Sequence, residues 1–200
     1  DGPGLVRAAQ AHMPGIELEG MPVVILGAGG AARGVSAALT ERGARITMIT
    51  RRPRRRAELL GSLAEALLSW SDPRLIDTVR HAELVIQATP LGMSPHTAGM
   101  PPLPLQAIRP GHLAIDLIYT PWQTRFLECA RQRGAVGLNG WPMLVHQAAV
   151  ALDFWIARGA GAGLQAATQC IEARDPLRAD RQTQARRGQT WDQRSVACSG

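Results

Sequence analysis

The chain has 200 residues, 46% of them hydrophobic, which suits a packed core and excludes a globally disordered polypeptide. A net charge of +6 and a pI near 10.8 raise nucleic-acid binding, but aromatics are only 4% and no RNA-binding or zinc-finger spacing occurs. All 22 basic residues are arginine, and lysine is absent.

In chain order, Asp1-Gly2-Pro3-Gly4 has turn chemistry, followed by a short amphipathic helix through Leu5, Val6, Ala8, Ala9 and Met13. Pro14-Gly15 ends it. Residues 23–26 read as a buried strand and 31–42 as a helix, with Gly43 as its C-cap. A second strand is expected at 46–50. Helical periodicity runs over 54–70 through Ala57, Leu60, Leu63, Ala64, Leu67 and Leu68, with a third strand near 67–70. Leu75, Ile76 and Val79 suggest another helix, and Leu84-Val85-Ile86 a buried strand. Residues 94–110 form a proline-rich loop, 113–118 a strand, and 124–133 a helix with Phe126, Leu127 and Ala130 inward and Gly134 as its stop. A short strand at 135–138 and a long helix at 142–158 complete the pattern. Strands and helices that alternate at these lengths predict an α/β fold with a doubly wound, mostly parallel sheet. Residues 159–200 open with Gly159-Ala160-Gly161-Ala162-Gly163 and turn polar and aperiodic, which predicts a flexible or disordered tail despite Trp191.

Cys129, Cys170 and Cys198 are odd in number and widely separated, so they read as free thiols in a reducing compartment. No apolar run has secretory or membrane-spanning character, so a cytoplasmic protein without a membrane partner is expected. No metal-ligand spacing is present. The first residue is Asp1 rather than Met, which reads as a fragment or a truncated gene product.

The most chemical stretch is Val23-Val24-Ile25-Leu26-Gly27-Ala28-Gly29-Gly30-Ala31-Ala32. A strand, a glycine turn and a helix follow one another, with Gly27-x-Gly29-x-x-Ala32 as a G-x-G-x-x-G/A variant. Gly27 permits the tight turn, and Gly29 lets the backbone approach a pyrophosphate. Ala32 lets the helix pack on the strand, and free N–H groups at the helix start hold phosphate charge. The competing interpretation is an ordinary tight βα turn. With the glycine turn in place the fold is expected to be Rossmann-like, with residues 1–16 an interdomain helix and 17–158 a dinucleotide-binding domain.

A site for NAD places Asp or Glu after the second strand, to accept hydrogen bonds from the ribose 2′-hydroxyl. Here that place reads Thr50-Arg51-Arg52, with Arg55 one helical turn later. A carboxylate would repel a 2′-phosphate, whereas a guanidinium clamps it with charge-assisted bonds, so NADP is the expected cofactor. A solvated helix face or a nucleic-acid patch is the alternative for the cluster.

Several separated stretches together resemble shikimate dehydrogenase, in its second half. Asp1-Gly2 resembles the end of an Asn-Thr-Asp-Gly motif, and Gly27-Ala28-Gly29-Gly30-Ala31 the cofactor loop. Thr50-Arg51-Arg52 is similar to an Asn-Arg-Thr segment. Gln87-Ala88-Thr89-Pro90-Leu91-Gly92-Met93 resembles Asn-Ala-Thr-Pro-Leu-Gly-Met, with Gln for Asn. Asp116-Leu117-Ile118-Tyr119-Thr120-Pro121 with Thr124 follows Asp-x-x-Tyr-x-Pro-x-x-Thr. Gly140-Trp141-Pro142-Met143-Leu144 and Gln147 follow the final Gly-x-x-Met-Leu-x-x-Gln helix. The likeness covers residues 1–158.

The resemblance implies reversible, NADP-dependent reduction of 3-dehydroshikimate to shikimate in aromatic amino-acid biosynthesis, the route to chorismate. It implies substrate contacts from Asp1, Tyr119 and Gln147. Leu117 and Gly140 would line the nicotinamide side, and Thr89 would touch the cofactor. Read alone, Gln147 could cap a backbone group, Tyr119 could be a buried packing ring, and Asp1 could be a turn or helix-end residue. His146 is given no role, and Met93 and Met143 read as packing. In the family a lysine of the N-terminal domain donates the proton, and this chain has no lysine. No catalytic residue is therefore assigned here, and the chain is expected to be inactive alone. The partner is a small molecule, with a homodimer allowed. A quinate/shikimate dehydrogenase and a non-catalytic NADP-binding module are the alternatives.

Overall fold

The structure is a computed structural model that describes residues 1–156 and Gln169. The helices are α1 (Gly2–His12), α2 (Gly30–Thr40), α3 (Pro53–Leu60), α4 (Leu75–His81), α5 (Arg125–Gln132) and α6 (Trp141–Ile156). The strands are β1 (Pro22–Leu26), β2 (Arg45–Ile49), β3 (Ala66–Leu68), β4 (Leu84–Gln87), β5 (Leu113–Asp116) and β6 (Val136–Leu138). The strands form one sheet in the order β3-β2-β1-β4-β5-β6, and every pairing is parallel. This is the doubly wound order that reverses direction between β1 and β4.

The centre of the sheet is buried on both faces, which explains why β1, β4 and β5 are almost continuous apolar runs rather than alternating ones. Val23, Ile25, Ile46, Met48, Leu84 and Ile86 share a core with Leu5 and Val6 of α1, Val35 and Leu39 of α2, and Met143 of α6. On the other face Val24, Leu26, Ile49, Val85 and Ala114 pack with Leu75 and Val79 of α4 and Phe126, Leu127 and Ala130 of α5. Successive residues of one strand therefore feed opposite layers.

Two helix stops follow the expectation. Gly43 (φ +80°) donates to Thr40 O while Ala44 donates to Leu39 O, and Gly134 (φ +82°) donates to Arg131 O while Ala135 donates to Ala130 O. Both are left-handed closures that satisfy the last helical carbonyls.

Two expectations need correction. The periodicity over 54–70 is not one helix: α3 ends at Leu60, Gly61 takes φ +43°, and a 3-10 turn spans Gly61–Leu63. Leu67 and Leu68 then pair with Met48 and Ile49 in the sheet, so β3 lies at Ala66–Leu68, slightly before the expected place. Asp1-Gly2-Pro3-Gly4 is not a free turn either, because Gly2, Pro3 and Gly4 are the first turn of α1. Proline fits there, having no N–H to lose. The two glycines are buried, and a Cβ on Gly4 would stand 2.6 Å from Met143 O and 3.0 Å from the Gln147 nitrogen.

The tail at 159–200 lies outside the described residues except for Gln169, so Cys170, Trp191 and Cys198 lie outside them too. Cys129 is a free thiol. Among the described residues, no helix is long and apolar enough to cross a membrane, and no cluster of His, Cys, Asp and Glu could hold a metal ion.

Candidate functional site

Most of the candidate residues lie along the carboxyl edge of the sheet, on the turns that leave β1, β2, β4, β5 and β6 or at the helix starts that follow, whereas Asp1 is at the N-cap of α1, Arg55 within α3 and Gln147 within α6. In open α/β sheets this edge is where ligands bind, at the point of strand-order reversal.

The turn after β1 carries the glycine motif. The Gly27 N–H donates to Ile49 O at 2.8 Å, and Gly27 takes φ +116°, a left-handed conformation that disfavours other residues. A Cβ there would lie 2.9 Å from Ala88 O and 3.1 Å from Thr89 Cγ2, so the turns after β1 and β4 touch. Gly29 is the N-cap of α2, and a Cβ on Gly29 or Gly30 would meet nothing within 4 Å. Ala28 is buried and Ala31 half-buried, while Ala32 has no exposed surface. The result is an uncovered helix N-terminus with free amides, whose partial positive charge suits a diphosphate. These residues fit the pyrophosphate of a dinucleotide.

After β2, Thr50 is buried and donates its N–H to Leu68 O at 2.9 Å, while Arg51 and Arg52 are exposed. Neither arginine has an ion pair among the described residues, whereas Arg45, Arg74 and Arg80 are each paired with a carboxylate. Arg55 lies in α3. The first side chains after β2 therefore offer free guanidinium groups and no acid.

On the other side of the reversal point, Thr89 follows β4 and is half-buried. Leu117 follows β5 and is half-buried against the core, and Gly140 is buried beside it. The Gly140 N–H donates to Ile118 O at 3.0 Å, and a Cβ on Gly140 would collide with Leu117 O. Gly140 thus lets the chain after β6 press directly on the turn after β5. Tyr119 is 46% exposed, so it is not the buried packing ring that was the alternative.

Gln147 is half-buried on α6, where its nitrogen and Cβ back onto Gly4. Asp1 is exposed at the N-cap of α1 without a side-chain capping bond, and its Cβ sits 3.8 Å from the Cβ position of Gly34. Asp1 and Gln147 are thereby joined through α1. Arg51 and Arg52 stand on the opposite half of the edge from Tyr119. His146 is 4% exposed, and neither ring nitrogen has a hydrogen-bond partner among the described residues. Burial and then the Arg7 charge hold its pKa below the usual histidine range. Met143 packs in the core, whereas Met93 is exposed on the turn after β4.

Three residues organise these turns without having been singled out for it. Gln87 and Asp116 end β4 and β5 with no exposed surface, and Thr124 is buried at the start of α5. Burial pushes the Asp116 pKa up to about 6, against the lowering effect of its hydrogen bonds from Thr124 and Ile118. The sequence signal available was a polar residue that closes an otherwise apolar strand. Asn139 does similar work before α6, donating to Trp122 O and accepting from the Trp141 N–H.

No family model matches the chain. Among curated relatives, a shikimate dehydrogenase (NADP(+)) of Desulforamulus reducens is 39% identical over 162 residues, covering 78% of this chain and 55% of its own length. The protein of the same name from Moorella thermoacetica is 40% identical over 167 residues, 80% of this chain and 56% of its own. The chain spans about half the length of the curated relatives it matches. Among solved structures, the shikimate 5-dehydrogenase of Thermus thermophilus in complex with NADP(H) and shikimate is 34% identical with a TM-score of 0.67, covering 84% of this chain and 60% of that one. The shikimate 5-dehydrogenase of Listeria monocytogenes in complex with shikimate and NAD is 26% identical with a TM-score of 0.73, covering 86% and 62%.

Proposed function

We infer that this chain, a relative of the shikimate dehydrogenases over most of its length, is the NADP-binding half of such an enzyme. The reaction is the reversible reduction of 3-dehydroshikimate to shikimate. One observation supports this most: an uncovered amide turn after β1 stands next to two unpaired guanidinium groups after β2, with no carboxylate between. An NAD site needs an acid there; a 2′-phosphate needs cations.

In this reading Gly27, Ala28, Gly29, Gly30 and Ala31 hold the diphosphate through backbone amides. Thr50, Arg51, Arg52 and Arg55 take the phosphorylated ribose. Thr89 borders the cofactor, and Leu117 and Gly140 form the floor of the nicotinamide side. When bound, NADPH supplies the hydride. Tyr119 presents an exposed hydroxyl and Gln147 an amide that both donates and accepts, which suits a polyol substrate. Asp1 joins them from the α1 N-cap. A cytoplasmic location and a homodimer belong to the same reading.

Hydride delivery to a ketone leaves alkoxide charge that needs a proton donor in reach. The 200 residues contain no lysine for that task. The chain by itself binds cofactor and does not turn over substrate. A non-catalytic NADP-binding module is the second reading, favoured by that same absence.

Fluorescence titration tests the proposal, with NADPH expected to bind well ahead of NADH. Equal affinities, or NADPH affinity unchanged in Arg51→Ala, would overturn the cofactor assignment. NADPH oxidation with 3-dehydroshikimate is expected to stay at background, and turnover by the 200-residue chain would overturn the incompetence.

A further inference from the structure

Gln87 and Asp116 are register partners at the ends of β4 and β5, and each side chain folds back onto the turn that follows it. The Gln87 Oε1 accepts from the Thr89 N–H at 2.6 Å, and its Nε2 donates to Thr89 O and Leu91 O, both at 3.0 Å. One Asp116 oxygen accepts from the Ile118 N–H at 2.9 Å and the other from the Thr124 hydroxyl at 2.6 Å. Thr124 Oγ1 in turn accepts from the Leu127 N–H at 3.3 Å, capping α5. One carboxylate therefore pins both ends of the segment that carries Ile118 and Tyr119. The two turns are also tied to each other, since the Ser94 N–H donates to Thr120 O at 3.1 Å.

This arrangement is not what stability alone would select. Asp116 has no exposed surface, and no charged side chain among the described residues contributes to its shifted pKa. A buried carboxylate without a cation opposes folding once it ionises, and an asparagine would keep the acceptor for Ile118 without that cost. Residues that break a local rule in this way concentrate where function sets the geometry.

We propose that Asp116 is a positioning residue for the nicotinamide end of the cofactor site, holding Leu117 under that end and Tyr119 at the carboxyl edge of the sheet through its bonds to Ile118 and Thr124. The proposal rests on the dinucleotide reading given above. Gln87 plays the corresponding part for Thr89.

The test compares two ligands on the full 200-residue chain. The nucleotide 2′,5′-ADP carries only the phosphorylated adenosine half and reads the β1–β2 side, whereas NADP+ reads both sides. Asp116→Ala and Thr124→Val should each weaken NADP+ roughly tenfold or more, as expected for lost buried hydrogen bonds, while 2′,5′-ADP stays within roughly twofold. Asp116→Asn and Thr124→Ser keep an acceptor for Ile118 or a hydroxyl for Asp116, and should restore NADP+ affinity. Equal weakening of both ligands, or of neither, overturns the positioning role, as does failure of the conservative variants to rescue. If Asp116→Ala does not fold, the Thr124→Val and Thr124→Ser pair decides the question by the same split. Absence of 2′,5′-ADP binding in the unaltered chain instead overturns the dinucleotide reading itself.

Discussion

The two halves of the carboxyl edge are built by opposite means. On the β1–β2 side the site is made by leaving side chains out: Gly27 turns back under the β4 turn, and Gly29 and Gly30 expose bare amides to open space. On the β4–β5 side it is made by burying polar side chains, with Gln87 and Asp116 each supplying hydrogen bonds that hold a turn in shape. A phosphate is recognised by backbone and charge, so the first half needs only access. In the proposed function the second half holds a flat ring and a polyol in register with each other, a task for fixed loops.

The largest effect should come from Gly27→Val, which breaks the first half outright. Positive φ and a Cβ aimed at Ala88 O leave no relaxed place for the side chain, so NADPH affinity should fall roughly a hundredfold or more, with a lower melting temperature. Unchanged affinity in calorimetry would remove the β1 turn from the site. Next, the double variant Arg51→Ala with Arg52→Ala should weaken NADPH by about ten- to a hundredfold and leave NADH alone, because charge-assisted bonds to the 2′-phosphate are lost. An equal loss for both nucleotides would point to the fold instead.

Asp116→Asn probes the second half through stability. The folded pKa is raised from 3.8 to about 6, so the part of wild-type stability that depends on protonated Asp116 is fully present below pH ~4 and is lost as pH rises through about 6. The asparagine variant avoids that loss, and at pH ~8 should be more stable by no more than about 3 kcal/mol. Urea denaturation across pH reads the difference; a gap that widens toward low pH would contradict the assignment. The smallest effect is Tyr119→Phe, expected to change stability by less than about 0.5 kcal/mol because the ring is half exposed. A larger change in the urea midpoint would return Tyr119 to a packing role.

The same contrast explains what could be read in advance. Gly27, Gly43 and Gly134 announce themselves because each marks a left-handed backbone state, and the apolar runs of β1 and β4 leave little alternative to buried strands. The stretch after Leu60 misled because Leu63, Ala64, Leu67 and Leu68 have helical spacing, while Leu63 closes a 3-10 turn and Leu67 and Leu68 pair with the open edge of β2. Gln87 and Asp116 escaped notice as supports because their partners are peptide groups two to four residues away, or a hydroxyl across a turn. Such bonds depend on the turn that they create, and no periodicity advertises them. Gly2 and Gly4 looked like turn residues until α2 and α6 were seen pressed against them.

That tight seam leaves no slack. A methyl group at position 2 would run into Gly34 O and Ala38 Cβ of α2, and one at position 4 would stand 2.6 Å from Met143 O of α6. Neither glycine can become even an alanine unless α1 moves away from its neighbours, so the meeting of these three helices is set by two residues that have no side chain.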